Sequence, residues 1–182
     1  MSNLPGSVLP ALILLNGVSS AGKSSIAREL QRRLPGPYLH VALDNFIAML
    51  PWGKKDDTVF MNLVDGFQRS VFALIDAGNI VIVDHVMYDD RWKAQMAAGL
   101  SRTSSLLVGV LCPLEELERR ERLRNVGRQG FARAQFDLVH RNMCYDATVD
   151  SAVTSAAECA GVILDAISQP LHAAEMWRKM FE

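Results

Sequence analysis

The residues Gly17-Val18-Ser19-Ser20-Ala21-Gly22-Lys23-Ser24 spell G-x-x-x-x-G-K-S between an apolar run at 11–16 and an amphipathic stretch at 24–34. A buried strand that enters a glycine-rich loop and leaves as a helix is the setting in which this pattern cradles phosphate. Each position has a physical task. Backbone N–H groups from Gly17 through Val18, Ser19, Ser20, Ala21, Gly22, Lys23, Ser24 and Ser25 can turn inward on phosphate oxygens. Gly17 and Gly22 are expected to supply the backbone angles of that nest. Lys23 can reach the β- and γ-phosphates, the Ser24 hydroxyl can ligate Mg²⁺, and the helix adds the positive end of its dipole. This loop commits residues 11–34 to strand–loop–helix.

The rest of the sequence repeats that alternation. Apolar runs at 38–43, 80–84, 106–111 and 147–149 read as further strands, and 60–77, 89–100, 113–124 and 132–143 as helices. Alternating strands and helices imply an α/β fold on a parallel sheet. The stretch 52–59 lacks periodicity and is expected to be a mobile loop, and 154–168 and 171–181 read as two closing helices separated by Pro170. No repeat, low-complexity tract or linker divides the 182 residues, which suit one compact domain.

Ligands of parallel sheets gather at the carboxyl ends of the strands. Two acids fall there besides the phosphate loop. Asp44, after the second strand, is placed to accept the proton of a hydroxyl being phosphorylated; capping of the short helix at 45–50 is its other reading. Asp84, after the third, can help hold Mg²⁺ or orient the substrate, and can equally be a turn residue. His85 could line the pocket, or be a satisfied polar neighbour. Phe46, Met49 and Trp52 follow Asp44 and can form an apolar acceptor pocket, Phe46 and Met49 serving equally well as core. Arg120, Arg124 and Arg128 are spaced to carry charge from one helix face into the following turn. There they can stabilise a transferring phosphoryl group from a lid at about 120–131, hinged at Gly127 and Gly130. Arg119 and Arg122 read as a solvated face.

Composition narrows the field. Hydrophobic residues make up 49% of the chain, which removes disorder, and a net charge of −1 argues against a nucleic-acid partner. The apolar runs are too short to span a bilayer, and the N-terminus lacks the basic start of a signal peptide. Three cysteines without C-x-x-C spacing fit reduced, buried thiols in a cytoplasmic protein. The closing helices offer a surface on which a second copy could pack.

With these residues placed, the chain resembles the chloramphenicol phosphotransferase family of small P-loop kinases. The resemblance is carried by residues 15–24, by Leu43-Asp44-Asn45-Phe46-Ile47 followed by Pro51, and by Val81-Ile82-Val83-Asp84. Gly109-Val110-Leu111-Cys112, the arginine-rich stretch and Tyr145-Asp146-Ala147-Thr148-Val149-Asp150 complete it. It implies a three-layer P-loop NTPase fold, like that of nucleoside monophosphate kinases, with a five-stranded parallel sheet. It further implies ATP as donor, Mg²⁺ as its partner, Asp44 as base, and a small hydroxyl compound such as chloramphenicol as acceptor. The chain departs from the family in a shorter 52–62 segment, in His85 where an aspartate is expected, and in the offset of Arg128.

Overall fold

The computed structural model describes residues 9–51, 56–124 and 129–181. The strands β1 (Leu12–Asn16), β2 (Leu39–Ala42), β3 (Val81–His85), β4 (Ser105–Leu111) and β5 (Ala147–Asp150) form one parallel sheet in the order β2-β3-β1-β4-β5. β1 is central, with β3 on one side and β4 on the other, so its carboxyl end opens at the switch point of the sheet. All ten residues of β1 and β3 are buried, and seven of them are Val, Ile or Leu. That pattern is what a strand covered on both faces requires.

Strand alternation sorts the core into two layers. Ile13 and Leu15 face one side and pack with Ile26 and Leu30 of α1 (Lys23–Arg33) and Cys159 and Ile163 of α7 (Ala156–Ile167). Leu12 and Leu14 face the other. They meet Val64, Phe67 and Val71 of α3 (Asp57–Asp76), Trp92 and Met96 of α4 (Asp90–Leu100), and Trp177 of α8 (Ala173–Lys179). Two further helices, α5 (Leu114–Arg124) and α6 (Phe131–Val139), follow β4, and the five-residue α2 (Leu43–Ile47) follows β2 directly.

Several boundaries differ from the sequence reading. α3 begins at Asp57, inside the stretch expected to be loop, because the Asp56 carboxylate accepts the Val59 N–H at 2.7 Å and caps it. Its first turn is exposed, so it contributes no apolar periodicity. α6 stops at Val139 rather than 143, and Asn142 adopts a left-handed φ of 57°. α2 starts one residue before Asp44 and takes Ala42 as its N-cap, so Asp44 lies in the first helical turn rather than capping it. Cys112 and Cys159 are buried and Cys144 is partly so.

Candidate active site

The phosphate loop closes on itself through its own lysine. Lys23 Nζ donates to the Gly17 and Val18 carbonyls at 3.0 and 3.1 Å, and lies 3.7 Å from Asp84 Oδ1. Gly22 turns with φ 87° and Ser20, a non-glycine, with φ 68°. Gly17 does not use a positive φ. A Cβ there would lie 2.6 Å from the Val110 carbonyl oxygen, so Gly17 is set by the close approach of β4. The expectation of a special backbone angle thus holds at Gly22 and is corrected at Gly17.

Asp84 ends the β1–β3 row on the α1 side. Ser24 Oγ donates to its Oδ2 at 2.6 Å, and His40 Nε2, from β2, stands 3.5 Å from the same oxygen. Burial alone would raise the Asp84 pKa; Lys23, His40 and Ser24 outweigh it and draw the group down to about 2. Burial lowers the Lys23 pKa, opposed by Asp84 and Asp44 and reinforced by Arg124. The two carbonyls that Lys23 faces can only accept, so they favour its ammonium form. Ser24 Oγ and the Asp84 carboxylate are hard oxygen donors, the type Mg²⁺ takes beside phosphate oxygens, and these residues fit that ion.

A cleft opens over this group. Ser19, Ser20, Gly22, Lys23, Ser24 and Ser25 form one wall; Leu43, Asp44 and Val86 form the other; Asp84 and Arg124 complete it. The solvent-exposed carboxylate-bearing turn of α2 thus faces the phosphate loop across one cavity.

Other sequence-predicted residues sit elsewhere. Arg120 lies one turn before Arg124 and acts as a strut: Nε donates to Glu116 Oε1 at 2.7 Å, and Nη2 to the Ser151 carbonyl at 2.6 Å. Its Nη1 is 3.4 Å from the Ser20 carbonyl, on the back of the loop. His85 does not line the cleft. It is fully buried on the opposite sheet face, edge-on to Phe67 and stacked with Trp92, and burial draws its pKa to about 3. Adjacent strand residues point to opposite faces, so Asp84 and His85 cannot share one cavity. Phe46 packs edge-on against Phe67 at 5.1 Å, a core contact. Trp52 and Arg128 lie outside the described residues. Arg119 is exposed and paired with Glu116, and Arg122 is exposed.

Three residues escaped the sequence reading. His40 reaches Asp84 because β2 and β3 run in register, Ala42 opposite Asp84. Asn16, fully buried at the end of β1, donates to the Val139 carbonyl at 3.0 Å and Tyr145 Oη at 2.8 Å, and accepts the Met87 N–H at 3.0 Å. Gln135 accepts the Ser19 N–H at 3.0 Å. Its signal was a polar residue within the inward row Ala132, Gln135, Val139 of α6.

Known proteins match this fold and this order of motifs. The family described as chloramphenicol phosphotransferase-like protein matches residues 10–168. The chain belongs to that family. Two Mycobacterium tuberculosis proteins, from strains CDC 1551 and H37Rv and provisionally named O-phosphotransferases, are each 28% identical over 176 residues. That similarity covers 82% of this chain and 78% of each of theirs. Among solved structures, an APS kinase of M. tuberculosis with AMPPNP and APS superposes with a TM-score of 0.68 at 18% identity, covering 87% of this chain and 97% of that one. A gluconokinase of Sinorhizobium meliloti gives 0.67 at 15% identity, covering 94% and 98%. A tunicamycin resistance protein of Deinococcus radiodurans gives 0.61 at 17%, covering 88% and 97%. These structures establish the P-loop kinase fold. No helix among the described residues is long and apolar enough to cross a membrane.

Proposed function

We propose that this member of the family is an ATP-dependent O-phosphotransferase that moves the γ-phosphate to a hydroxyl of a small molecule. The observation that carries this reading is the shared cleft: a phosphate loop on one wall and Asp44 on the other. Loop amides and Lys23 bind the β- and γ-phosphates, the ammonium leaving the Gly17 and Val18 carbonyls for phosphate oxygen. Ser24 and Asp84 would hold Mg²⁺, which when bound neutralises phosphate charge. His40 keeps the Asp84 carboxylate oriented from behind. Asp44 aligns the acceptor hydroxyl and takes its proton as the new phosphorus–oxygen bond forms. Arg124 faces the same cavity and is suited to stabilise charge on the transferring group. Arg120, tied to the back of the loop, supports it rather than touching the phosphoryl group. Positioning and charge stabilisation supply the rate, since phosphoryl transfer asks little covalent chemistry of the protein.

Family membership makes chloramphenicol-like alcohols the first acceptors to try. The test is mass spectrometry of hydroxyl compounds, chloramphenicol among them, incubated with the enzyme, ATP and Mg²⁺. The expected result is a product heavier by one phosphoryl group, formed in step with ADP. Tight ATP binding with no phosphorylated product across a broad panel would replace this reading with a nucleotide-binding switch.

A further inference from the structure

α6 is held at both ends by buried charge of the sign its dipole calls for. At its N-terminus the Glu121 carboxylate, from α5, accepts the Gly130 and Ala132 N–H groups at 3.2 and 2.7 Å. Beyond its C-terminus the Lys93 ammonium, from α4, donates to the Leu138 and Arg141 carbonyls at 2.8 and 2.7 Å. Glu121 is 5% exposed and Lys93 0%. A negative charge at the N-terminus and a positive one at the C-terminus both stabilise a helix, and more so when shielded from water. Asn16 adds a third tie, through the Val139 carbonyl. A nine-residue helix held at three places has little freedom to slide.

From this fixed helix one side chain reaches the phosphate loop. The peptide group joining Val18 to Ser19 is held at both of its polar ends. Its carbonyl accepts from the Ala21 N–H at 3.1 Å and from Lys23 Nζ at 3.1 Å. Its N–H donates to Gln135 Oε1 at 3.0 Å, and Gln135 is itself buried. Rotation of that peptide would turn its carbonyl away from Lys23 and its N–H toward it. The Gln135 acceptor makes that rotation costly, since the N–H would give up a part-buried hydrogen bond.

We propose that Gln135 is a positioning residue for the nucleotide site: anchored on the clamped helix α6, it fixes the Val18–Ser19 peptide and thereby the resting place of Lys23. Nothing in the proton transfer at Asp44 depends on it. Gln135 acts on the donor half of the cleft and leaves the acceptor half alone. Its consequence for nucleotide binding rests on the phosphotransferase reading; its consequence for the Ser19 amide does not.

The experiment compares the full-length protein with Gln135→Met, which keeps the side chain's length and removes the acceptor. Asp137→Asn, an exposed change on the same helix, serves as control. In nucleotide-free protein, amide hydrogen exchange at Ser19 is expected to rise in Gln135→Met and stay unchanged in the control. Titration with a non-hydrolysable ATP analogue and Mg²⁺ is expected to give a dissociation constant weaker by about five- to tenfold, the loss of one part-buried hydrogen bond. In steady-state assays the nucleotide KM follows that change and the acceptor KM does not. Unchanged Ser19 exchange, or equal rises in both KM values, would overturn the proposal. A wild-type protein that shows the exchange difference and fails to bind the analogue would sink the kinase reading and leave the Gln135 contact standing.

Discussion

The two walls of the cleft are built in opposite ways. On the phosphate-loop wall, Lys23 and Asp84 are buried, and each of Lys23, Ser24 and Asp84 is engaged by at least one of the others. On the facing wall, Asp44 stands exposed on a helix of five residues. The first wall is organised before any ligand arrives, as electrostatic catalysis of phosphoryl transfer requires. The second carries its carboxylate on an exposed turn that lines the same cleft. On the proposed reading, the difference separates generic from particular chemistry: nucleotide handling would follow from a motif of eight residues, and acceptor choice from what surrounds α2.

Substitutions on the two walls should therefore separate. The largest effect is expected from Asp44→Asn, which removes the proton acceptor and should lower kcat by about 10²- to 10⁴-fold while the nucleotide dissociation constant stays within about twofold. Lys23→Met should instead weaken both nucleotide binding and turnover, the latter by about 10²- to 10³-fold. Direct titration beside single-turnover rates reads both. If the two variants lost binding and turnover in the same proportion, the division between the walls would not hold.

The next effect is on stability, and it belongs to the buried wall alone. The Asp84 pKa is about 2 in the folded protein, below its ordinary value of 3.8. A depressed carboxylate pKa stabilises the fold above the unfolded value and loses that contribution as pH falls through the folded one. In nucleotide-free protein, about 2 kcal/mol should therefore disappear between about pH 4 and pH 2. Denaturant midpoints across that range should show a steeper acid limb in wild type than in Asp84→Asn.

The remaining effect concerns the loop's contact with β4. Gly17→Ala would bring a methyl group to 2.6 Å from the Val110 carbonyl oxygen, and the cost is expected at about 1–3 kcal/mol in denaturant unfolding. Unaltered stability would mean that β4 yields easily and that the loop is less firmly seated than its hydrogen bonds imply.

The same contrast explains what could be read from the sequence. The loop, the buried strands and the strand-end acids were legible because each depends on local pattern: apolar runs, motif spacing, a charged residue where a strand stops. The five-stranded sheet and the boundaries of α4 and α7 follow from such signals, with Asp89 and the Ser155–Glu158 capping box marking the starts. Of the two readings of His85, the buried polar neighbour holds and the pocket residue does not, because strand alternation sends Asp84 and His85 to opposite faces. The first turn of α3 was missed since exposed residues leave no periodic trace. His40, Asn16 and Gln135 act across elements distant in sequence, Gln135 and Ser19 being 116 residues apart. Register and helix docking bring them together, and no local spacing encodes either.

The central claim is that donor and acceptor meet between these walls, and a crystal structure with a non-hydrolysable ATP analogue, Mg²⁺ and the accepted alcohol tests it most directly. The expected result places the terminal phosphate on the loop amides and Lys23, with the acceptor hydroxyl about 3 Å from the Asp44 carboxylate. An acceptor bound with its hydroxyl against another residue, and Asp44 turned out into solvent, would contradict it.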